Sequence, residues 1–294
     1  METSNEDWKK DLRVQIISAM NVTVENASQL YEQIGRYYMC YTPRFLYKYY
    51  RADQRTLDAI RNNKMWYSAP SSFNDVFDCD ITIDENILFD GIIKSNPDTR
   101  NIRKGSTVWH DLRQSCIREI GKLKSVFDQM KDTTGISCLS EEDDSLLMWA
   151  HYAGNHCGMC VEYELLEINQ ALGFTPVPVV YSDEKINLHI DDMERTERII
   201  VESVTTKSPE WSYEKEWRII RDEAACGERW NAEKKGALLD MISPSAIILG
   251  CMASPEFSEE VQTYCEQNRI KLYKMQKSKI KYCLEKIPIL QFDN

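Results

Sequence analysis

Three clusters of polar and aromatic residues along the chain carry side chains that could do chemistry. In the first, Asn74, Asp75 and Asp78 lie around Phe73 and Phe77, directly after a predicted strand. The aromatic side chains could anchor a loop that presents its carboxylates to a ligand. The same residues are typical of a turn in which Asn and Asp side chains bond their own backbone. Both interpretations remain open from the sequence.

The second cluster contains two of the four histidines, His151 and His156. His151 shares a predicted helical face with an apolar residue, so it is either a site residue or a hydrogen-bonded core histidine. Together with Cys157 and Cys160, the histidines offer ligand types that zinc prefers. However, the two cysteines fall on a predicted strand that directs them to opposite faces, and no second pair follows. We therefore expect no metal site.

The third cluster is a predicted strand over residues 214–221 in which Glu214, Glu216 and Arg218 share one face. Such a face is either solvated or the wall of a cleft. Large apolar residues flank it, which favours a strand inside the sheet. Carboxylates in that position cost free energy unless they are paired or functional.

The elements that must position these clusters predict an α+β fold, with a mixed or antiparallel sheet core and surrounding helices. Residues 1–41 are predicted as an N-terminal helical extension, with a break at 21–26, and residues 42–294 as a single catalytic-type domain. Strands are predicted at 44–50, 64–68, 135–139, 158–163, 177–181, 214–221, 246–249 and 271–275. Helices of this domain are predicted at 54–62, 106–131, 145–153, 189–206 and 255–267.

Composition restricts the compartment and the partners. Lys and Arg number 36 against 47 Asp and Glu, a net charge of -11, which disfavours generic nucleic-acid binding and anionic membranes. A local basic groove remains compatible with this balance. No apolar stretch approaches the roughly 18 residues of a membrane-spanning helix. The ten cysteines mostly lie in apolar runs, and no secretory signal is evident, so we expect reduced thiols and a cytoplasmic protein.

Four motifs in order resemble a bacterial family catalogued as Domain of Unknown Function 2971. They are the strand Leu46 to Tyr49, the box Phe73 to Asp78, the helix Met148 to Tyr152 and the strand Tyr213 to Arg218. The resemblance covers roughly residues 44–285. The chain has Val76 where the family box has proline. The family name carries no activity, so the function must be argued from the site.

A second resemblance is to ADP-ribosyltransferases, whose site combines a basic residue on a first strand, a helix, a Ser or Tyr strand and a late Glu-x-Glu strand. Lys48, the helix at 54–62, Tyr67 and Glu216 fall in that order. The resemblance implies that Glu216 stabilises an oxocarbenium-like centre as the nicotinamide–ribose bond breaks. It implies that Glu214 orients the acceptor or activates it as a base.

The same resemblance implies NAD as substrate. Tyr67 would stack on nicotinamide, while Lys48 or His151 would contact the dinucleotide. Glu216, Glu214 and His151 are the predicted catalytic residues. The predicted NAD-contacting residues are Lys48, Tyr49, Tyr67, Ser68, Asn74, Asp75, Asp78, Tyr152 and Arg218.

Three functions follow as hypotheses. The first is an NAD-using transferase or NAD-cleaving enzyme, deployed as a bacterial toxin or anti-phage effector on a macromolecular acceptor that the sequence does not define. The second is a metal-dependent hydrolase or nuclease that uses Asp75, Asp78, His151 and Glu216. The third is a non-enzymatic module that senses a ligand in the same cleft. The N-terminal helices are a candidate contact for a protein partner.

Overall fold

The computed structural model describes residues 7–20, 24–99, 101–173, 175–193 and 196–292. Its α-helices are α1 (Asp7–Met20), α2 (Val24–Tyr41), α3 (Gln54–Arg61), α4 (Glu85–Ser95), α5 (Thr107–Thr133), α6 (Leu146–His151), α7 (Leu165–Leu172), α8 (Glu197–Val204), α9 (Glu223–Cys226) and α10 (Pro255–Asn268). Short 3-10 helices cover Pro70–Ser72, Ile190–Met193, Pro209–Glu214 and Gly227–Arg229.

The strands are β1 (Phe45–Tyr50), β2 (Lys64–Ser68), β3 (Ile81–Thr82), β4 (Gly135–Ser140), β5 (Met159–Glu164), β6 (Val177–Pro178), β7 (Val180–Tyr181), β8 (Ile186–Asn187), β9 (Thr206–Lys207), β10 (Glu216–Arg221), β11 (Trp230–Asn231), β12 (Gly236–Asp240), β13 (Ala246–Leu249), β14 (Lys271–Lys277) and β15 (Leu284–Leu290). Eleven of them form one mixed sheet in the order β11-β12-β2-β4-β1-β5-β13-β14-β15, with β10 pairing β4 and β6. The predicted α+β fold is confirmed.

Strand β4 is the branch point of the sheet. Its Ser140 pairs with Tyr47 of β1 on one edge and with Glu216 of β10 on the other. At its opposite end, Ile136 pairs with Ser68 of β2. Strands β1 and β2 therefore pair with the same edge of β4, β1 at the end with Ser140 and β2 at the end with Ile136. The first and third motif clusters meet at this branch point because β10 and the loop after β2 both adjoin β4.

Local sequence signals set the helices near this branch point. The side chain of Asp53 accepts a hydrogen bond from the Thr56 N–H at the start of α3, and Ser145 accepts one from Met148 N–H at the start of α6. Helix α6 ends at His151, two residues before the predicted end. Gly158 must be glycine, since a Cβ there would lie 2.0 Å from the Tyr50 carbonyl oxygen.

Two predicted elements near the site differ from the structure. The predicted helix at 189–206 is a 3-10 turn, a shorter helix α8 and the strand β9, while residues 194–195 lie outside the described part of the chain. The predicted strand at 214–221 begins only at Glu216, because Glu214 ends a 3-10 helix and Lys215 adopts a left-handed conformation with φ +42°.

The N-terminal helices pack on the sheet. Leu12 is fully buried, and the Trp8 ring lies 6.1 Å from the Trp217 ring in the central core. The helices at 7–20 and 24–41 agree with the predicted helical segment, and part of its expected break, residues 21–23, lies outside the described residues. The division at residue 41 into extension and domain stays a prediction.

All ten cysteines are free thiols, and five of them are buried. Within the described residues, no helix combines the length and the apolar character needed to cross a membrane.

Candidate functional site

A fully buried guanidinium organises the site. Arg218 donates from Nη1 and Nη2 to the two carboxylate oxygens of Asp78, at 2.8 and 2.7 Å. Its Nε donates to Oε1 of Glu216 at 2.8 Å, and Nη1 also reaches the Val204 carbonyl oxygen at 2.8 Å. Charges at this depth are stable only when they are paired and hydrogen-bonded. Arg218 therefore fixes two carboxylates that lie far apart in sequence.

Lys207 supplies a second buried cation. Its Nζ donates to Oε2 of Glu214 at 2.6 Å and to Oε2 of Glu216 at 3.0 Å, and it lies 3.7 Å from Oδ2 of Asp78. The ammonium also sits 4.8 Å from the centroid of the Trp211 ring. Three carboxylates thus share two cations in a network that is nearly closed to solvent.

The left-handed residue Lys215 forms a tight turn between the two glutamates. Its N–H donates to the Ser212 carbonyl oxygen and closes the 3-10 helix that carries Glu214. The strand with Glu216 begins one residue later. A regular strand would also place the two glutamates on one face, but the tight turn changes the direction of the chain between them. The Lys215 side chain itself pairs with Glu142 at the surface.

Tyrosine and asparagine extend the network outward from Glu214. The Tyr152 hydroxyl donates to Oε1 of Glu214 at 2.5 Å, and Nδ2 of Asn74 donates to the Tyr152 oxygen at 3.4 Å. The backbone is held as well, since Ser140 Oγ donates to the Glu214 carbonyl oxygen at 2.7 Å. Glu214 is thereby oriented by one hydroxyl and one ammonium.

The environment shifts the pKa values of Glu214 and Glu216 in opposite directions. Burial raises the pKa of Glu214, and this outweighs the opposing effect of Lys207. Burial would also raise the pKa of Glu216, but the adjacent Arg218 and Lys207 outweigh it and hold that pKa well below its usual range. Glu216 thus stays ionised, whereas Glu214 can exchange a proton closer to neutral pH.

A cavity of about 160 Å³ opens beside this network. Its walls combine aromatic rings with the three carboxylates. The lining residues are Tyr47, Lys48, Tyr49, Phe73, Asn74, Asp78, Cys138, Leu139, Met148, Tyr152, Lys207, Glu214 and Glu216. Lys48 donates from Nζ to the Cys138 carbonyl oxygen at 2.9 Å, and burial lowers the pKa of Lys48. We call this the β4 cavity.

Most of the predicted site residues meet at the β4 cavity. Those that line it are Lys48, Tyr49, Asn74, Asp78, Tyr152, Glu214 and Glu216. Arg218 lies behind the wall and holds two of the carboxylates. Segments that are far apart in the sequence therefore converge on one pocket, as the order of the motifs predicts.

His151 is not brought to the cavity. Its side chain is exposed on α6, and its ring lies 6.2 Å from that of Tyr213. Neither the catalytic assignment nor the buried core interpretation agrees with this position. The reason is the face of α6 on which it lies: His151 shares that face with the exposed Leu147, whereas Met148 points to the pocket.

Three further predicted contacts also lie elsewhere. Tyr67 is fully buried in the central core, outside the cavity lining, so nothing supports the predicted stacking on nicotinamide. Ser68 pairs with Gly236 in the sheet. Asp75 accepts a hydrogen bond from the Phe77 N–H at 2.9 Å, as expected if its side chain bonds the backbone of its own turn. Asp75 thus shapes the loop, while Asp78 belongs to the site.

Lys207 is the site residue that the sequence analysis missed. It directly follows the segment predicted as a helix at 189–206, and no motif surrounds it. The signal that could have found it is charge balance, since the strand face with Glu214 and Glu216 offers two carboxylates for the single cation Arg218. The residues proposed for a metal site are not assembled either, since His151 and Asp75 lie outside the lining. Among the described residues, no group of three metal-ligand types is placed to hold an ion.

The family comparison agrees with part of this site. A family described as protein of unknown function (DUF2971) matches residues 148–219. The matched segment contains Tyr152, Lys207 and both glutamates, whereas Lys48 and Asp78 lie before it. It supports the resemblance to this family. No curated protein and no solved structure matches the chain, and the similarity to ADP-ribosyltransferases has no counterpart in these comparisons.

Proposed function

We propose that the protein cleaves the bond between nicotinamide and ribose in NAD at the β4 cavity, and transfers ADP-ribose to water or to a macromolecular acceptor. The observation that carries the proposal is the pair Glu214 and Glu216, two carboxylates at one cavity with oppositely displaced pKa values. Such pairs divide acid–base work from charge stabilisation in enzymes.

The cavity suits the nicotinamide end of the substrate. A cavity of about 150 Å³ is known to hold benzene, so a cavity of about 160 Å³ accommodates one six-membered ring. Tyr47, Tyr49 and Phe73 provide aromatic surface, and the carboxylates suit a cationic ring and ribose hydroxyls. The lysines of the lining are already hydrogen-bonded, so the pyrophosphate and adenosine would extend beyond the cavity.

The reaction follows from these residues. The bond between C1′ of ribose and N1 of the ring breaks, and its electron pair leaves with nicotinamide, which becomes neutral. The ionised Glu216 stabilises the positive charge that develops at C1′. An acceptor O–H then forms the new bond to C1′, and its proton passes to Glu214. Atoms and charge balance without another reagent.

Glu214 suits the role of base because its hydrogen bonds orient it and because burial raises its pKa, which makes it a stronger base. Tyr152 and Lys207 each hold one of its carboxylate oxygens. The raised pKa brings proton exchange closer to neutral pH, where a general base is most effective.

A ligand-binding module without turnover is the second candidate. Both oxygens of Glu216 already accept hydrogen bonds from Arg218, and one also accepts from Lys207. A carboxylate that is so fully engaged can serve to shape a pocket rather than to meet a transition state. In that case the cavity would bind a small polar aromatic ligand and leave it unchanged.

Nicotinamide release from NAD separates these functions. The wild-type protein should release nicotinamide, and Glu214→Gln should lower the rate by about 10²- to 10⁴-fold, which is the usual contribution of a general base. Glu210→Gln is the matched control, because Glu210 is exposed on the same 3-10 helix. NAD binding without release would favour the binding module. If the protein neither binds NAD nor releases nicotinamide from it, the proposal is refuted.

A further inference from the structure

A second concave surface lies beside the hairpin formed by β14 and β15. This hairpin groove has a volume of about 690 Å³, and its floor is apolar, with Leu146, Met252 and Leu284. Its rim is the connection at 278–283 between the two strands. Helix α6 separates it from the β4 cavity, since Leu146 lines the groove and Met148 lines the cavity.

The hairpin groove is basic in an acidic chain. Residues 271–281 contain five lysines and no Asp or Glu, although the whole chain has a net charge of -11. Lys277, Lys279 and Lys281 line the groove and are exposed, and the described lining residues include no carboxylate. Three exposed lysines around one groove, with no carboxylate in its described lining, create a local positive potential. Such a potential attracts a polyanion.

Exposed apolar groups stand among these lysines. The Tyr282 side chain is fully exposed, and Ile280 is 87% exposed. Large apolar side chains that gather around a groove mark a contact site for a partner. An exposed aromatic ring next to cations is the arrangement on which nucleic-acid bases stack while phosphates meet lysines.

We propose that the hairpin groove binds single-stranded nucleic acid, with a base stacked on Tyr282 and the backbone phosphates against Lys277, Lys279 and Lys281. The concave shape favours this occupant over a lipid surface, which a convex apolar tip without a groove would suit better. The general acidity of the chain restricts the binding to this local surface. The proposal does not depend on the function proposed for the β4 cavity.

Fluorescence anisotropy with a labelled single-stranded RNA of about 12 nucleotides tests the charge component, since related grooves cover about 4–16 nucleotides. The variant Lys277→Gln/Lys279→Gln/Lys281→Gln should reduce the slope of log K against log salt by about 2, because each phosphate contact on a single strand contributes about 0.7. The control Lys10→Gln/Lys104→Gln/Lys124→Gln changes the net charge equally at exposed positions outside the groove. It should leave the slope unchanged.

Tyr282 tests the stacking component. Tyr282→Ala should weaken RNA binding by about tenfold, whereas Tyr282→Phe should retain it, because loss of one stacked base has an effect of this size. Equal losses in the groove and control triple variants would overturn the proposal, as would the absence of binding by the wild type. Binding to vesicles of anionic lipid but not to RNA would also overturn it. All these assays omit NAD, so their outcome is separate from that of the cleavage assay.

Discussion

Glu214 and Glu216 accept hydrogen bonds from the same ammonium group, at 2.6 and 3.0 Å, yet their pKa values are displaced in opposite directions. The difference arises from their other partners. Glu216 is also paired with Arg218, whereas Glu214 receives only the neutral hydroxyl of Tyr152. One additional cation therefore separates a carboxylate that is ionised at neutral pH from one whose raised pKa lets it exchange a proton closer to neutral pH.

Replacement of Arg218 should strongly destabilise the protein. Arg218→Met leaves the carboxylates of Asp78 and Glu216 buried with one cation fewer, a change that typically costs about 3–5 kcal/mol. Urea denaturation measures the free energy of unfolding. Arg36→Met is the control, since the exposed pair Arg36–Glu32 should contribute no more than about 1 kcal/mol. Equal effects of the two variants would contradict the buried network.

The stability of the protein should depend on Glu216 in the acidic range. Its pKa is lowered on folding, so its contribution is present above the unfolded value of about 4.3 and is lost as the pH falls through the folded value. Glu216→Gln cannot ionise. The difference in unfolding free energy between wild type and this variant should therefore shrink as the pH falls below about 4. A difference that stays constant with pH would show that the charge of Glu216 is unimportant.

Tyr152 should tune the pKa of Glu214. Its hydroxyl donates to the carboxylate and so favours the ionised form. Tyr152→Phe should raise the pKa of Glu214 further, which a titration of the carboxyl carbon by NMR measures directly. Tyr213→Phe is the matched control, because Tyr213 lies close by but does not hydrogen-bond to the Glu214 side chain. Equal shifts in both variants would argue against the contact with Tyr152.

The N-terminal helix α1 should support the strand that carries Lys207. Nη1 of Arg13 donates to Oγ1 of Thr206 at 2.8 Å and approaches the Thr205 carbonyl oxygen at 3.4 Å. Arg13→Ala should cost about 1–3 kcal/mol of stability, since it removes the charged donor to Thr206. The Thr205 carbonyl oxygen still accepts from the Val180 N–H. Faster hydrogen exchange at residues 205–207 is the expected readout. Lys10→Ala, at an exposed position on the same helix, should not produce it.

The fold class and much of the site could be predicted because they depend on local patterns. Alternating strands, capped helices and the order of the motifs place Lys48, Asp78 and Glu216 around one sheet. The apolar residues around Glu216 and Arg218 favoured a strand inside the sheet over a solvated face, and both side chains are buried. Patterns of period two and 3.6 carry this information directly.

The remainder depends on contacts that no local pattern encodes. Lys207 becomes a site residue only because β9 lies next to the turn at Lys215, and the left-handed conformation of Lys215 has no glycine to signal it. His151 has the residue type of a catalytic base, but the face of α6 that it shares with Leu147 is exposed. Tyr67 was predicted to stack on nicotinamide, but its strand directs the ring into the core.

The pH dependence of nicotinamide release from NAD tests the central claim most directly. If Glu214 is the base, the rate should rise with pH through a midpoint above the ordinary glutamate value of about 4.3, because burial raises the pKa of this group. Glu214→Gln should remove that rise. A rate that is independent of pH, or a wild-type profile that persists in Glu214→Gln, would contradict the assignment.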